Sequence, residues 1–134
     1  MKWLVKEEPA TYPFSQLVKD GKTVWSGVKN PAAQKNLRGM KPGDRVFYYH
    51  TGNEKAVVGI AKVASAPRPD PADTEGRLHV VDLVPDRALK QPVTLAEVKA
   101  VTDFADFPLV RLPRLSVMPV TDEQWAWIEK RGLG

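Results

Sequence analysis

The sequence predicts a single α+β domain, residues 1–134, in which about five or six mostly antiparallel strands form a small barrel with short peripheral helices. Its 134 residues have the length of one domain, and 43% of them are hydrophobic, which is enough to fill one core. Several apolar runs of strand length are separated by tight turns, and this spacing favours antiparallel pairing. A closed or nearly closed barrel removes exposed sheet edges and is therefore favoured over the alternative, an open sheet.

The first elements are a strand and a short helix. Residues 2–6 form a short, mostly apolar run and predict the first strand. Phe14, Leu17 and Val18 share helical spacing, and Gly21 then supplies a stop signal. We therefore expect a short helix between the first strand and Gly21.

A second helix and the central strand follow. Asn30 and Pro31 are a helix cap and a first-turn proline, and they predict a helix that runs to about Gly39. Residues 41–44 place proline and glycine at the two central positions of a type II turn. This turn leads into residues 45–50, an aromatic-rich strand of which one face is expected to be core.

Two further strands are predicted in the middle of the chain. Residues 56–64 form the partner of the central strand, and the prolines within residues 67–71 indicate an exposed loop. Residues 77–84 are rich in valine and leucine and predict a third long strand. Residues 94–97 have the pattern of a capping box, which opens one or two helical turns.

The C-terminal part predicts a last strand and a well-marked helix. Residues 115–120 form the strand. Residues 121–124 are a second capping box with acidic residues in the first turn. Lys130 and Arg131 lie in the last turn, and Gly132 follows them as a stop signal.

Composition limits the compartment and the chemistry. The chain has no cysteine, which excludes disulfides, thiol nucleophiles and zinc ribbons and is compatible with a reducing compartment. No apolar run approaches the roughly 18 residues that a membrane-spanning helix requires, and the charged N-terminus lacks the pattern of a signal peptide. A bacterial-type cytoplasm, or the nucleus of a eukaryote, is therefore expected, with no membrane partner.

The basic residues indicate nucleic acid as one possible partner. The formal net charge is +4, and a pI near 9.4 is typical of nucleic-acid-binding domains. Four cations cluster around the helix that follows Asn30 and are candidates for phosphate contacts: Lys29, Lys35, Arg38 and Lys41. An ordinary solvated helix face is the alternative interpretation.

The residues that catalysis requires are scarce. The two histidines, His50 and His79, have no ligand spacing, so no metal site is predicted. Neither a nucleophile elbow nor a phosphate-binding glycine loop is present, and no cofactor is expected. Glu7 and Glu8 are adjacent on a strand end and point to opposite faces, unlike a glycosidase pair. A small nucleotide hydrolase with His50 as base and either glutamate as its partner remains the enzymatic alternative.

Trp25 is the strongest candidate for a ligand contact. It lies in an apparently irregular segment just before the helix start at Asn30, and Gly27 permits close approach to the backbone. A flat ring beside free N–H groups of a helix start is suited to a stacked base or another small planar ligand. Two alternatives stay open, namely core packing of Trp25 and binding of another small anion at the Asn30 helix start.

Four segments together resemble the EVE domain family, a branch of the PUA-like fold. They are W-L-V-K-E-E-P at residues 3–9, W-S-G-V-K-N at 25–30, Tyr49-His50 followed by G-I-A-K-V at 59–63, and R-L-S-V-M-P-V at 114–120. They occur in the family's order and span nearly the whole chain. The resemblance implies a PUA-like barrel related to the YTH readers of methylated adenine in RNA.

The resemblance also implies a pocket for a modified nucleobase in DNA or RNA, with no established catalytic activity. Its implied ligand-binding residues are Lys6, Glu7, Trp25, Ser26, Gly27, Val28, Asn30, Tyr49, His50, Arg114 and Ser116. The family often has serine at the position of Glu7. A carboxylate there favours a donor-rich base edge and disfavours a nearby phosphate. The oligomeric state stays open.

Overall fold

The computed structural model describes residues 1–134, which form one mixed sheet with five α-helices and one 3-10 helix around it. The strands are β1 (Lys2–Glu7), β2 (Thr23–Trp25), β3 (Arg45–His50), β4 (Ala56–Val63), β5 (Arg68–Pro69), β6 (His79–Thr94) and β7 (Val117–Val120). The helices are α1 (Phe14–Asp20), α2 (Pro31–Arg38), α3 (Leu95–Lys99), α4 (Pro108–Arg111) and α5 (Asp122–Leu133), and the 3-10 helix is Thr102–Phe104.

The sheet follows the strand order β2-β6-β4-β3-β1-β7, and β5 pairs with β6 outside this path. Every pairing is antiparallel except that of β1 with β3. The sheet curls into a half-barrel whose end strands, β2 and β7, are not paired with each other. The predicted α+β, PUA-like architecture of mostly antiparallel strands is confirmed, and its barrel is open along one side.

Helix α2 packs against both β6 and β7, and two of its amide side chains bond to the sheet. The Gln34 amide nitrogen donates to the backbone oxygens of Val28 at 2.8 Å and His79 at 3.1 Å. Its amide oxygen accepts from the His79 N–H at 3.0 Å. Asn36 donates to the backbone oxygen of Val117 at 2.7 Å. These bonds fix the helix to β6 on one side and to β7 on the other.

The core lies on both faces of β3. Every residue of this strand after Arg45 is buried. On one face Tyr48 meets the edge of Trp25, with ring centroids 5.5 Å apart. On the other face Phe47 stacks on Trp125 of α5, with centroids 3.6 Å apart. The expectation of one core face on β3 is therefore wrong, because α5 covers one face while Trp25 of β2 and Phe14 of α1 cover the other.

Most of the predicted elements are present. In the first half of the chain the strand β2 was not predicted, and the other differences lie in the second half. The third long strand does not end near Val84 but continues to Thr94 as β6, with a register jump from Val93 to Ala88 opposite β4. The proline-rich loop contains the short strand β5. The 3-10 helix and α4 were not predicted.

Both predicted capping boxes are confirmed. The Thr94 hydroxyl accepts from the Glu97 N–H at the start of α3, and the Glu97 carboxylate accepts from the Thr94 N–H in return. Thr121 and Gln124 make the same exchange at the start of α5. None of the helices combines the length and the apolar character needed to cross a membrane.

Candidate functional site

The residues predicted for the pocket divide between two faces of the sheet. The parallel register of β1 and β3 sets Lys6 beside Tyr49 and Glu7 beside His50. Partners on neighbouring strands share a face, and successive residues of a strand alternate between faces. Lys6 and Tyr49 therefore lie on one face, and Glu7 and His50 lie on the other. These side chains cannot all line a single pocket.

Lys6 and Tyr49 support the segment that follows α4. The half-buried Lys6 ammonium donates to the backbone oxygen of Pro113 at 2.8 Å and lies 5.7 Å from the centroid of the Tyr49 ring. The Lys6 N–H donates to the backbone oxygen of Ser116 at 2.9 Å. Burial lowers the pKa of Lys6, and burial raises the pKa of Tyr49 to about 12. The end of β1 thus holds both ends of the 113–116 segment.

That segment forms one wall of a cleft of about 350 Å³, here called the apolar cleft. The cleft is lined by Asn30, Ala32, Arg111, Leu112, Pro113, Arg114 and Leu115. Two of the predicted site residues, Asn30 and Arg114, are among them. Its volume lies within the range of about 300–1000 Å³ that is usual for small-molecule sites. The cleft combines an apolar wall with two arginines and has no carboxylate in its lining.

A second cleft, of about 250 Å³ and here called the basic cleft, is also bounded by α2. It is lined by Lys29, Pro31, Gln34, Arg38, Arg77 and Leu78. Two of the predicted phosphate contacts, Lys29 and Arg38, lie in it. The other two, Lys35 and Lys41, are exposed but line neither cleft. Arg77 was not predicted, since its only signal was a cation at the end of the proline-rich loop.

Trp25 is not an open stacking surface. The residue is the last of β2 and pairs with Val81 of β6, so the segment is not irregular at this position. Its indole is only 6% exposed, packs against Tyr48 and lines neither cleft. The prediction that a ligand stacks on Trp25 is wrong for this conformation, because the strand pairing directs the ring into the core.

The segment after Trp25 carries the remaining residues of the W-S-G-V-K-N motif. Ser26 and Gly27 are exposed, whereas Val28 is buried. Gly27 has a φ of +75°, in the left-handed region that favours glycine. The glycine therefore turns the chain from β2 towards α2.

The first turn of α2 offers no free backbone N–H group. The Asn30 amide oxygen accepts from the N–H groups of Ala32 at 2.9 Å and Ala33 at 3.0 Å. The Asn30 backbone oxygen accepts from the Gln34 N–H, and Pro31 has no N–H to donate. An anion at this helix start must therefore displace the Asn30 side chain, and the predicted donor-rich helix start is wrong.

His50 is a buried structural residue in this conformation. It is 8% exposed, and its Nε2 accepts from the Phe14 N–H at 3.0 Å. Its Nδ1 lies 2.7 Å from a carboxylate oxygen of Glu54, which assigns the ring proton to Nδ1. Neither nitrogen is free to act as a general base or to contact a ligand. The partner of His50 is Glu54 rather than Glu7 or Glu8, so the hydrolase alternative lacks its predicted pair.

A family model for the EVE domain matches residues 1–131. The chain belongs to the EVE domain family. Among curated relatives of this EVE domain, human thymocyte nuclear protein 1 is 27% identical over 160 residues, which cover 94% of this chain and 71% of the relative. The Gallus gallus protein of the same name is 30% identical over 162 residues, which cover 94% and 66% of the two chains.

Solved EVE-like structures share the fold over nearly the whole chain. An NMR structure of a Rhodopseudomonas palustris protein superposes with a TM-score of 0.92 at 44% identity, covering 98% of this chain and 92% of that one. The human THYN1 protein, crystallised in complex with 5-methylcytosine-containing DNA, superposes with a TM-score of 0.89 at 25% identity. That comparison covers 98% of this chain and 96% of the human one.

Proposed function

We propose that this EVE domain binds DNA or RNA and recognises a modified base without catalysing a reaction. The observation that carries the proposal is its similarity to the human THYN1 protein, which was crystallised with DNA containing 5-methylcytosine. The similarity covers almost all of both chains, so it includes the elements that bound the two clefts. A cytoplasmic location, or a nuclear one in a eukaryote, gives access to such a partner.

The apolar cleft is the proposed base-binding site. Leu112 and Leu115 provide an apolar wall for a flat ring. The Asn30 amide oxygen accepts the two hydrogen bonds of the helix cap, whereas its NH2 group makes no hydrogen bond within the chain. Arg114 likewise has no hydrogen-bonded or ionic partner and is exposed. Arginine can stack on a base or donate to two base acceptors at once.

The other predicted residues take indirect roles in this arrangement. Lys6, Tyr49 and Ser116 support the wall of the apolar cleft from behind. Trp25 and His50 instead pack against Tyr48 in the core. Two unpaired cations around α2, Lys29 and Arg38, hold phosphates, which makes binding depend strongly on salt concentration.

The proposal is tested by measuring affinities for matched oligonucleotides that differ by one 5-methylcytosine, as single-stranded and duplex DNA and as RNA. Fluorescence anisotropy gives each Kd. Arg114→Ala is expected to weaken binding by about 1–3 kcal/mol, the usual value of a bidentate arginine contact with a base. Lys90→Ala is the matched control, since Lys90 is an exposed cation of β6 that lines neither cleft. Equal affinity of wild type and Arg114→Ala for every oligonucleotide would exclude this site.

A further inference from the structure

The basic cleft has two walls, and each is held in place by bonds within the chain. On the α2 side, Gln34 is only 3% exposed, and its amide bonds to Val28 and His79 as described above. On the opposite side, one carboxylate oxygen of Asp73 accepts from the N–H groups of Arg77 and Leu78, both at 2.7 Å. The cleft therefore exists before any ligand arrives.

Asp73 organises the loop without neutralising the cleft. Its second carboxylate oxygen accepts from the Glu75 N–H at 3.2 Å. Hydrogen bonds from the backbone, the largest from Leu78, hold the pKa of Asp73 below its ordinary value, so the group is ionised at neutral pH. Asp73 does not line the cleft. Its role is to place Arg77 and Leu78 opposite α2.

The cleft carries three positive charges and no carboxylate. Lys29, Arg38 and Arg77 are the three cations of the lining. Lys29 and Arg38 form no ion pair anywhere in the chain. Arg77 meets only the exposed Glu75, at 3.5 Å. Like charges gathered in one cleft repel one another, and an anion between them relieves that repulsion.

We propose that the basic cleft is a phosphate-binding subsite held by Lys29, Arg38 and Arg77. Guanidinium groups bind phosphate oxygens through two parallel N–H donors, and lysine adds a point charge. The subsite rests on the proposed function in one respect, which is that the bound phosphate belongs to the backbone of a nucleic acid. A free phosphorylated molecule presents the same phosphate chemistry and is the alternative ligand.

The two clefts have separate linings, and both linings include residues at the start of α2. Asn30 and Ala32 face the apolar cleft, whereas Pro31 and Gln34 face the basic one. A strand with a base in the apolar cleft and a phosphate in the basic cleft crosses the start of α2. Lys35 lines neither cleft, so we expect it to make no contact with that phosphate.

The first experiment titrates the protein with inorganic phosphate, with chloride at equal ionic strength as the reference. Backbone amide shifts of the Lys29–Gln34 and Arg77–Leu78 segments, followed by NMR, report occupancy of the cleft. Saturable shifts are expected with phosphate in the wild type and are lost in Arg77→Gln. The variant keeps the Arg77 N–H bond to Asp73, so the loop is retained. Arg87→Gln is the matched control, an exposed arginine that also neighbours one carboxylate and lines neither cleft.

The second experiment measures oligonucleotide affinity at several salt concentrations. Plots of log K against log salt have a negative slope, and Arg77→Gln is expected to make that slope shallower by about 0.7–0.9, the value of one phosphate contact. An unchanged slope and affinity in Arg77→Gln would overturn the subsite while leaving nucleic-acid binding intact. Phosphate-specific shifts in a protein that binds no oligonucleotide would instead support the subsite, with a free phosphorylated molecule as its ligand. Shifts no larger with phosphate than with chloride would also overturn the subsite.

Discussion

At the scale of single residues, Trp25 stabilises the fold instead of contacting a ligand. Its indole meets Tyr48 edge to face and belongs to the main hydrophobic cluster. Edge-to-face aromatic pairs add to the free energy gained by burying the rings. The ring anchors the end of β2 in the core and thereby fixes the point from which the Ser26–Lys29 segment starts.

Trp25→Ala is expected to lower the free energy of unfolding by about 3–5 kcal/mol, because truncation leaves a cavity beside Tyr48. Urea denaturation measures the loss, and Trp25→Phe should restore part of it. A stable Trp25→Ala protein that has lost affinity for nucleic acid would show that the indole is a contact surface after all.

The sequence predicts individual site residues when their position follows from local structure. Asn30 is placed by its cap, and Lys29 is placed by being its neighbour, so both were predicted near a ligand and both line a cleft. The burial of Trp25 depends on pairing with a strand more than 50 positions away. The position of Arg77 in the basic cleft depends on the turn in which Asp73 accepts the Arg77 and Leu78 N–H groups. Neither of these two placements has a local signal.

At the scale of elements, α2 positions both clefts. The helix supplies lining residues to each of them and is bonded to β6 and β7 through Gln34 and Asn36. It is only eight residues long, and isolated helices of that length are unstable in water. Its cap and its bonds to the sheet therefore determine whether the clefts persist.

Substitutions of Asn30 separate its cap from its proposed contact with a base. Asn30→Ala removes the acceptor of two N–H groups and should cost about 0.5–2 kcal/mol of stability. Asn30→Asp keeps the acceptor, so thermal unfolding should remain close to that of the wild type. It also replaces the free NH2 group by a carboxylate in the apolar cleft and should weaken nucleic-acid binding. Wild-type affinity in Asn30→Asp would remove Asn30 from the proposed site.

Elements with local signals were predicted, and those without them were not. The capping boxes of α3 and α5 and the proline after Asn30 give the helix starts directly from the sequence. β6 contains two prolines and a charged stretch, and its continuation to Thr94 is stabilised by pairing with β4. The two-residue strand β5 exists only because β6 lies beside it.

At the scale of the whole molecule, Asp44 ties the N-terminus to the turn before β3. Its carboxylate accepts from the Trp3 indole N–H at 2.9 Å and from the Lys41 N–H at 3.0 Å. It also lies 3.3 Å from the N-terminal amine. Burial by itself raises the pKa of Asp44, but these hydrogen bonds outweigh it and hold the pKa below the ordinary value of 3.8.

This shift predicts how stability depends on pH. Because the pKa is lower in the folded than in the unfolded state, the Asp44 contribution is complete above pH 3.8 and is lost as the pH falls through the folded value. Asp44→Asn should be less stable than wild type at neutral pH, and the difference should shrink below pH 3.8. Urea titrations at several pH values measure the free energies of unfolding of the wild type and of Asp44→Asn. A constant difference across the acid range would contradict the assignment, and Asp103→Asn, at an exposed residue, is the control.

The general architecture followed from the sequence, but the closure of the barrel did not. Apolar runs and tight turns predict which segments are strands and that neighbours such as β3 and β4 pair antiparallel. The parallel pairing of β1 with β3 joins segments that no turn connects. The two strands that α2 bridges, β6 and β7, are likewise not joined by a tight turn. The fold family, recognised from four motifs, supplied the arrangement that local patterns could not.

The placement of β1 between β3 and β7 also bears on biosynthesis. Both partners of Lys2, namely Arg45 and Val120, follow it in the chain and are translated after it. One edge of β1 therefore has no neighbour until β7, the last strand of the sheet in chain order, has been translated. Nascent chains that stall before β7 therefore expose a long apolar strand edge, which makes them targets for chaperones and proteases.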